Sequence, residues 1–207
     1  MRDHLALDTC STVHCQERYR QWLQERYASI VDLNAEWGTQ YGDWTDAGFM
    51  TFVQAREQGN LAPWLMYRRF MDWVWADAVK WVSANARKAD PGAMCALANS
   101  FGQAPFSGRD YELLASANDY TMEYPNECMS SSPWGHHYEA ERCFAPDVVH
   151  HPWVGYRHVP EAVRYEPWWC ALHGADGVSV YDAMSVFVGK NSWAQIFPTL
   201  QLTERGR

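Results

Sequence analysis

No extended run of lysine and arginine appears in the 207 residues, where 17 basic residues face 25 acidic ones for a formal net charge of −8. A protein that neutralises many phosphates needs a basic face, so nucleic acid is not an expected partner. Nor does any stretch approach the roughly 18 uninterrupted apolar residues of a membrane span, and no membrane partner is expected. The opening MRDHLALDTC lacks the basic-then-apolar order of a secretory leader. Cysteine is scarce: Cys10, Cys15, Cys95, Cys128, Cys143 and Cys170 are too few and too scattered for a disulfide scaffold. A reducing, cytoplasmic setting is the default expectation. Charged residues make up only 20%, against 47% hydrophobic, so the composition of a disordered chain is missing too. The chain is long enough to bury one sizeable core, and one domain over 1–207 is expected.

What the chain has in excess is aromatic side chains: 12 Trp, 11 Tyr and 8 Phe. Such rings bury large areas while Trp and Tyr keep a polar atom at the edge. Packing accounts for many of them. A surplus of Trp also suits a cleft in which sugar C–H faces lie flat on rings.

Helical periodicity opens the chain. Tyr19, Trp22, Leu23 and Tyr27 share one face, and Ser29 is placed to cap a second helix running through Leu33. Residues 38–60, rich in Gly, Asp and Thr, read as a long, partly ordered loop, so 1–60 forms a helix–loop segment. A long helix is expected over about 63–88, with Pro63 near its start. Four apolar segments then alternate with helical ones. Strands are expected at 93–100, 119–124, 148–156 and 175–183. Between them come the helix YELLASA, a loop of about twenty residues after Pro125, and a helix over 161–174 interrupted near Pro167. Strands alternating with helices indicate parallel βα units. The turns before the strands are tight and the loops after them long and polar, as in a (β/α) barrel with its chemistry at the C-terminal strand ends. A full barrel has eight strands, and this reading finds four.

Three motifs carry a family resemblance. In CSTVHCQERYRQWLQERYASIVDLNAEWGTQYGDW, the frame Tyr19, Trp22, Leu23, Arg26, Tyr27, Ser29, Ile30, Leu33, Asn34, Trp37, Gly38 and Thr39 resembles the segment after barrel strand four in glycoside hydrolase family 42 β-galactosidases. MYRRFMDWVWADAVKWV is similar to that family's long helix four, and WWCALHGADGVSVY to its approach to strand eight. The resemblance implies an α/β fold, a partial (β/α)8 TIM barrel of about four units, strands five to eight. It also implies retaining hydrolysis of β-galactosides by two carboxylates, an acid/base and a nucleophile. The family's acid/base glutamate lies some nine residues before the first cysteine of the cluster. That position is Met1, so the glutamate is expected upstream and the fragment alone is expected to be inactive.

The family's nucleophile is a glutamate ending strand seven, where this chain has Gly155 and Tyr156. Two residues stand as catalytic candidates: Glu123, which ends the second expected strand, and Tyr156, since some glycosidases use tyrosine. For Glu123 a cleft-facing hydrogen-bond acceptor is the plainer alternative. Rings and polar groups expected to bind sugar are Asn99, Trp134, His137, Trp153, Asp182 and Trp193; core packing is the commoner fate of a Trp. The family binds zinc through its cysteine cluster, of which Cys10 and Cys15 remain while the middle position is Thr12. A closed zinc site wants four ligands, so structural zinc is possible only with an incomplete set and no cofactor is expected. Adjacent strand residues face opposite ways, so His150 and His151 do not share an ion. A carbohydrate is the expected partner, with a homo-oligomer possible. The rival reading is a non-catalytic carbohydrate-binding relative that has lost the carboxylate pair.

Overall fold

The computed structural model describes residues 10–98, 110–122, 136–154 and 160–180. They fall into two compact units. The first comprises 10–75 with 110, and the second comprises the remaining described residues from 76 onward.

The first unit is helical. Helices α1 (Val13–Gln24), α2 (Ile30–Trp37), α3 (Phe52–Gln58) and the first half of α4 (Ala62–Ala89) make it up. Each start has a chemical cause. Thr12 accepts from the Cys15 N–H, Ser29 from the Asp32 N–H, and Thr51 with Gln54 forms a reciprocal capping box. Gly38 closes α2 at φ 65, a left-handed conformation that glycine adopts without a Cβ penalty. The core gathers Tyr19, Trp22, Leu23, Leu33, Trp37, Tyr67 and Phe70. Tyr19 meets Tyr67 edge to face at 4.6 Å, and Arg26 lies 3.7 Å over the Trp22 ring. Each buried ring contributes about 2 kcal/mol by area alone, so these aromatics hold the unit together. Asn60 joins α2 to α4: its amide donates to Trp37 O while its carbonyl accepts from Ala62 N.

α2 runs on to Trp37 rather than stopping at Leu33, and the region 38–60 is not all loop. The capping box and the left-handed Gly59 enclose α3 within it.

In the second unit the paired strands among the described residues are all parallel. β1 (Tyr120–Thr121) pairs with β2 (Val149–His150), β3 (Trp153–Val154) pairs with β4 (Ser179–Val180), and a parallel bridge joins Ala98 to Met122. Helices α5 (Tyr111–Ala115), α6 (His136–Phe144) and α7 (Pro160–Leu172) intervene. This is the α/β alternation expected of the sequence, with differences of detail. The expected strand 148–156 is split in two, because Pro152 has no N–H to donate; its carbonyl still accepts from Ser179 N at 2.9 Å. The expected strand 93–100 pairs by a single bridge at Ala98. The expected twenty-residue loop contains α6, which has Glu139 in its first turn and Arg142 in its last, as the helix dipole favours. Pro167 sits inside α7 without ending it; packing of Cys170 on Val154 holds the helix past the lost hydrogen bond.

Candidate functional site

The two ends of the parallel strands differ in what they carry. At the N-terminal end, polar side chains complete the backbone ladder. Asp119 N–H donates to Cys95 O at 2.9 Å, while the Asp119 carboxylate accepts from Cys95 N at 2.6 Å and from the Arg87 guanidinium. Asp176 repeats the device: its N–H donates to His150 O and its carboxylate accepts from His150 N, both at 2.8 Å. Asn118 accepts from Leu97 N and donates to Leu114 O. Such groups spend their hydrogen-bonding capacity on the fold, as conserved architecture at the bottom of barrels does.

In the other direction the described residues of these segments run to Ala98, Met122, Val154 and Val180. Asn99, Glu123, Tyr156 and Asp182 follow these positions in sequence and lie outside the described residues, as do Trp134 and Trp193. His137 lies in the backbone of α6, its side chain outside the description. Trp153 is described: it is half-buried on β3.

Strand alternation sorts the sheet's two faces. Thr121, His150 and Val154 face the helices. Val154 is fully buried against Cys170 of α7, and His150 Nε2 donates to Ala145 O at 3.0 Å. A carbonyl can only accept, so Nε2 carries a proton, and Nδ1 lies 3.1 Å from the Thr121 hydroxyl. Beside them Glu141, 1% exposed, stands 3.8 Å from His150 Nδ1 with neither oxygen hydrogen-bonded. This buried cluster lies between sheet and helix. On the opposite face are Tyr120, His151, Trp153 and Ser179. The rings of Tyr120 and His151 are 6.2 Å apart, and a Cβ on Gly177 would come within 3.3 Å of His151 Nε2. The two adjacent histidines therefore do face opposite ways. Tyr120 and Ser179, which the sequence reading passed over, share the Trp153 face; the signal for them was the period-2 parity of each strand. His173, in the turn before β4, lies 3.3 Å from Glu139 and 4.4 Å from the Trp169 ring.

In the first unit, Cys10 and Cys15 come together with Sγ–Sγ 2.7 Å apart, and Thr12 Oγ1 is 3.2 Å from Cys10 Sγ. The hydrogen bond from Cys15, with those of Thr12, holds the Cys10 thiol below its ordinary value, while burial pushes Cys15 up. His14 turns outward, its side chain 90% exposed beside Glu17. Among the described residues no group of three or more His, Cys, Asp or Glu could hold a metal. Two sulfurs ligating one tetrahedral zinc at ~2.3 Å each would stand about 3.8 Å apart. The pair does not fit zinc.

Comparison with known proteins places this geometry. A family model described as β-galactosidase, that of glycoside hydrolase family 42, matches residues 3–195. A β-galactosidase of an Arthrobacter species is 26% identical over 162 residues, covering 72% of this chain and 22% of that protein. Among solved structures, a β-galactosidase from the psychrophilic Marinomonas ef1 superposes with a TM-score of 0.64 at 15% identity, over 95% of this chain and 35% of its own. The catalytic domain of a β-amylase from Paenibacillus polymyxa superposes at 0.56 and 14% identity, over 80% of this chain and 47% of that one. The chain thus spans about a fifth of the curated relative and about a third of the first solved one.

Proposed function

The chain belongs to the glycoside hydrolase family 42 β-galactosidases, and from that membership we propose that it supplies strands five to eight of a retaining (β/α)8 glycosidase barrel acting on β-galactosides or related β-linked sugars. The observation that supports this reading is the parallel pairing, in which the segments that include Ala98, Met122, Val154 and Val180 run in the same direction. Asn99, Glu123, Tyr156 and Asp182 follow those four residues by one or two positions in sequence, and barrel chemistry is built just after the strands. Trp153 and Tyr120, on the face turned from the helices, supply rings for a sugar.

In this reading the acid/base glutamate lies outside these 207 residues, and the chain alone does not turn over substrate. The chain contributes the group opposite that glutamate. Glu123 as nucleophile would attack the anomeric carbon, expelling the aglycone as the upstream acid protonates it; water then releases the sugar with net retention. Retention requires the two carboxyls about 5–5.5 Å apart. The test is a parent protein extended through the upstream reading frame, assayed on a nitrophenyl β-galactoside with the product anomer followed by NMR. Glu123→Gln should lower kcat by at least about 10³-fold. If Tyr156→Phe does so instead, the nucleophile is tyrosine; if neither does, the assignment fails.

One observation favours the second reading, a sugar-binding relative without catalysis. No glutamate ends the 148–156 segment, where Gly155 and Tyr156 stand. Galactose that quenches the parent's tryptophan fluorescence, with no hydrolysis in any pH window, would establish it.

A further inference from the structure

We propose that Cys10 and Cys15 form a thiol–disulfide exchange site, closed by low-molecular-weight disulfides, that clasps the chain at residue 10 to the first turn of α1. The sulfurs are 2.7 Å apart, about 0.7 Å longer than a disulfide bond and about 1.1 Å shorter than two co-ligands of zinc. The surrounding structure holds them there. Thr12 caps α1 and also reaches Cys10 Sγ at 3.2 Å, so the turn that starts the helix brings the two thiols together. The Tyr67 hydroxyl donates to Cys10 O at 2.7 Å and anchors the other side of the turn to α4. Cys10 is exposed and Cys15 half-buried, so a small oxidant meets Cys10 first.

The step balances with oxidised glutathione as the named oxidant. Cys10 Sγ, having given up its proton, attacks one glutathione sulfur; the S–S bond breaks and glutathione thiolate leaves. Cys15 Sγ, deprotonated in turn, attacks Cys10 Sγ of the mixed disulfide and expels the second glutathione. The two protein thiols lose two electrons and two protons, and one glutathione disulfide becomes two reduced glutathiones.

The test uses the full 207-residue chain, equilibrated in glutathione buffers of increasing oxidation, quenched with acid, unfolded and alkylated. Trypsin leaves both cysteines in one peptide, residues 3–18. That peptide should pass from doubly alkylated to unalkylated and two hydrogens lighter. At a given poise its closed-to-open ratio should be at least about tenfold higher than in chain held unfolded in guanidinium. Cys15→Ser should leave Cys10 carrying one glutathione. Equal ratios in folded and unfolded chain would overturn the proposal. So would peptide that stays doubly alkylated at every poise, or stoichiometric zinc that protects both thiols until a chelator is added.

Discussion

At the residue scale, Glu141 is the least compensated group described. It is 1% exposed, neither oxygen is hydrogen-bonded, and its neighbour His150 stands 3.8 Å away. Removing one member of a buried ion pair is costly when it strands the other's charge. His150 keeps two further partners, the Thr121 hydroxyl and Ala145 O, when the carboxylate is removed. Glu141→Met should therefore stabilise the protein by about 1 kcal/mol, raising Tm by about 3 °C near pH 7; a lower Tm would show that the carboxylate stabilises. Asp72 offers a pH signature. Burial pushes its carboxyl above the ordinary range, opposed by Arg68 and reinforced by Asp110. The folded state thus holds this proton more tightly than the unfolded chain does. Stability is highest below the unfolded value and falls as pH rises through the raised folded one. Asp72→Asn should raise the urea midpoint at neutral pH and leave it unchanged in acid. A gain equal at both pH values would refute the link to titration.

At the element scale, helix caps and the aspartate brackets carry the clearest expectations. Thr51→Ala removes the capping box of α3 and should cost about 1 kcal/mol in a denaturant titration. Asp119→Ala strands both Cys95 N and Arg87 and should cost about 2 kcal/mol; Thr51 and Asp119 belong to different units, so the two losses should add. The long helix and the Ser29 cap were legible because 3.6-residue periodicity and a cap residue agreed there. α3 was not, although its T-x-x-Q spacing was present, because Gly and Asp dominate the surrounding window. α6 was hidden behind histidine- and serine-rich composition. Pro152 was visible, yet the apolar run around it suggested one strand where the missing N–H makes two. Of the candidate site, the place of Trp153 on β3 could be read from strand parity, while Asn99, Glu123, Tyr156 and Asp182 lie outside the described residues. The approach of Cys10 to Cys15 could not be read, because a spacing of five residues does not reveal the N-cap turn that folds one onto the other.

At the scale of the whole molecule, the sheet face bearing Tyr120, His151 and Trp153 bears on the proposed barrel. Barrel interiors are filled by side chains, yet Val149 on that face is 43% exposed. Co-expression with a segment carrying strands one to four of a family 42 barrel should yield a co-purifying complex in which the Trp emission is blue-shifted; separate elution of the two would count against the barrel. The two units also differ in what holds them. Among the described residues, the second shows small clusters such as Val154 with Cys170 and Ala115 with Ala145, the first packed rings. Tyr19, Trp22, Tyr67 and Phe70 lie with centroids between 4.6 and 6.1 Å apart, and a guanidinium is fixed over Trp22. Chromophores so close and so asymmetrically placed couple their electronic transitions. The first unit therefore carries a built-in optical gauge: its near-ultraviolet circular dichroism will fade when the rings loosen, even while the helical signal at shorter wavelengths persists.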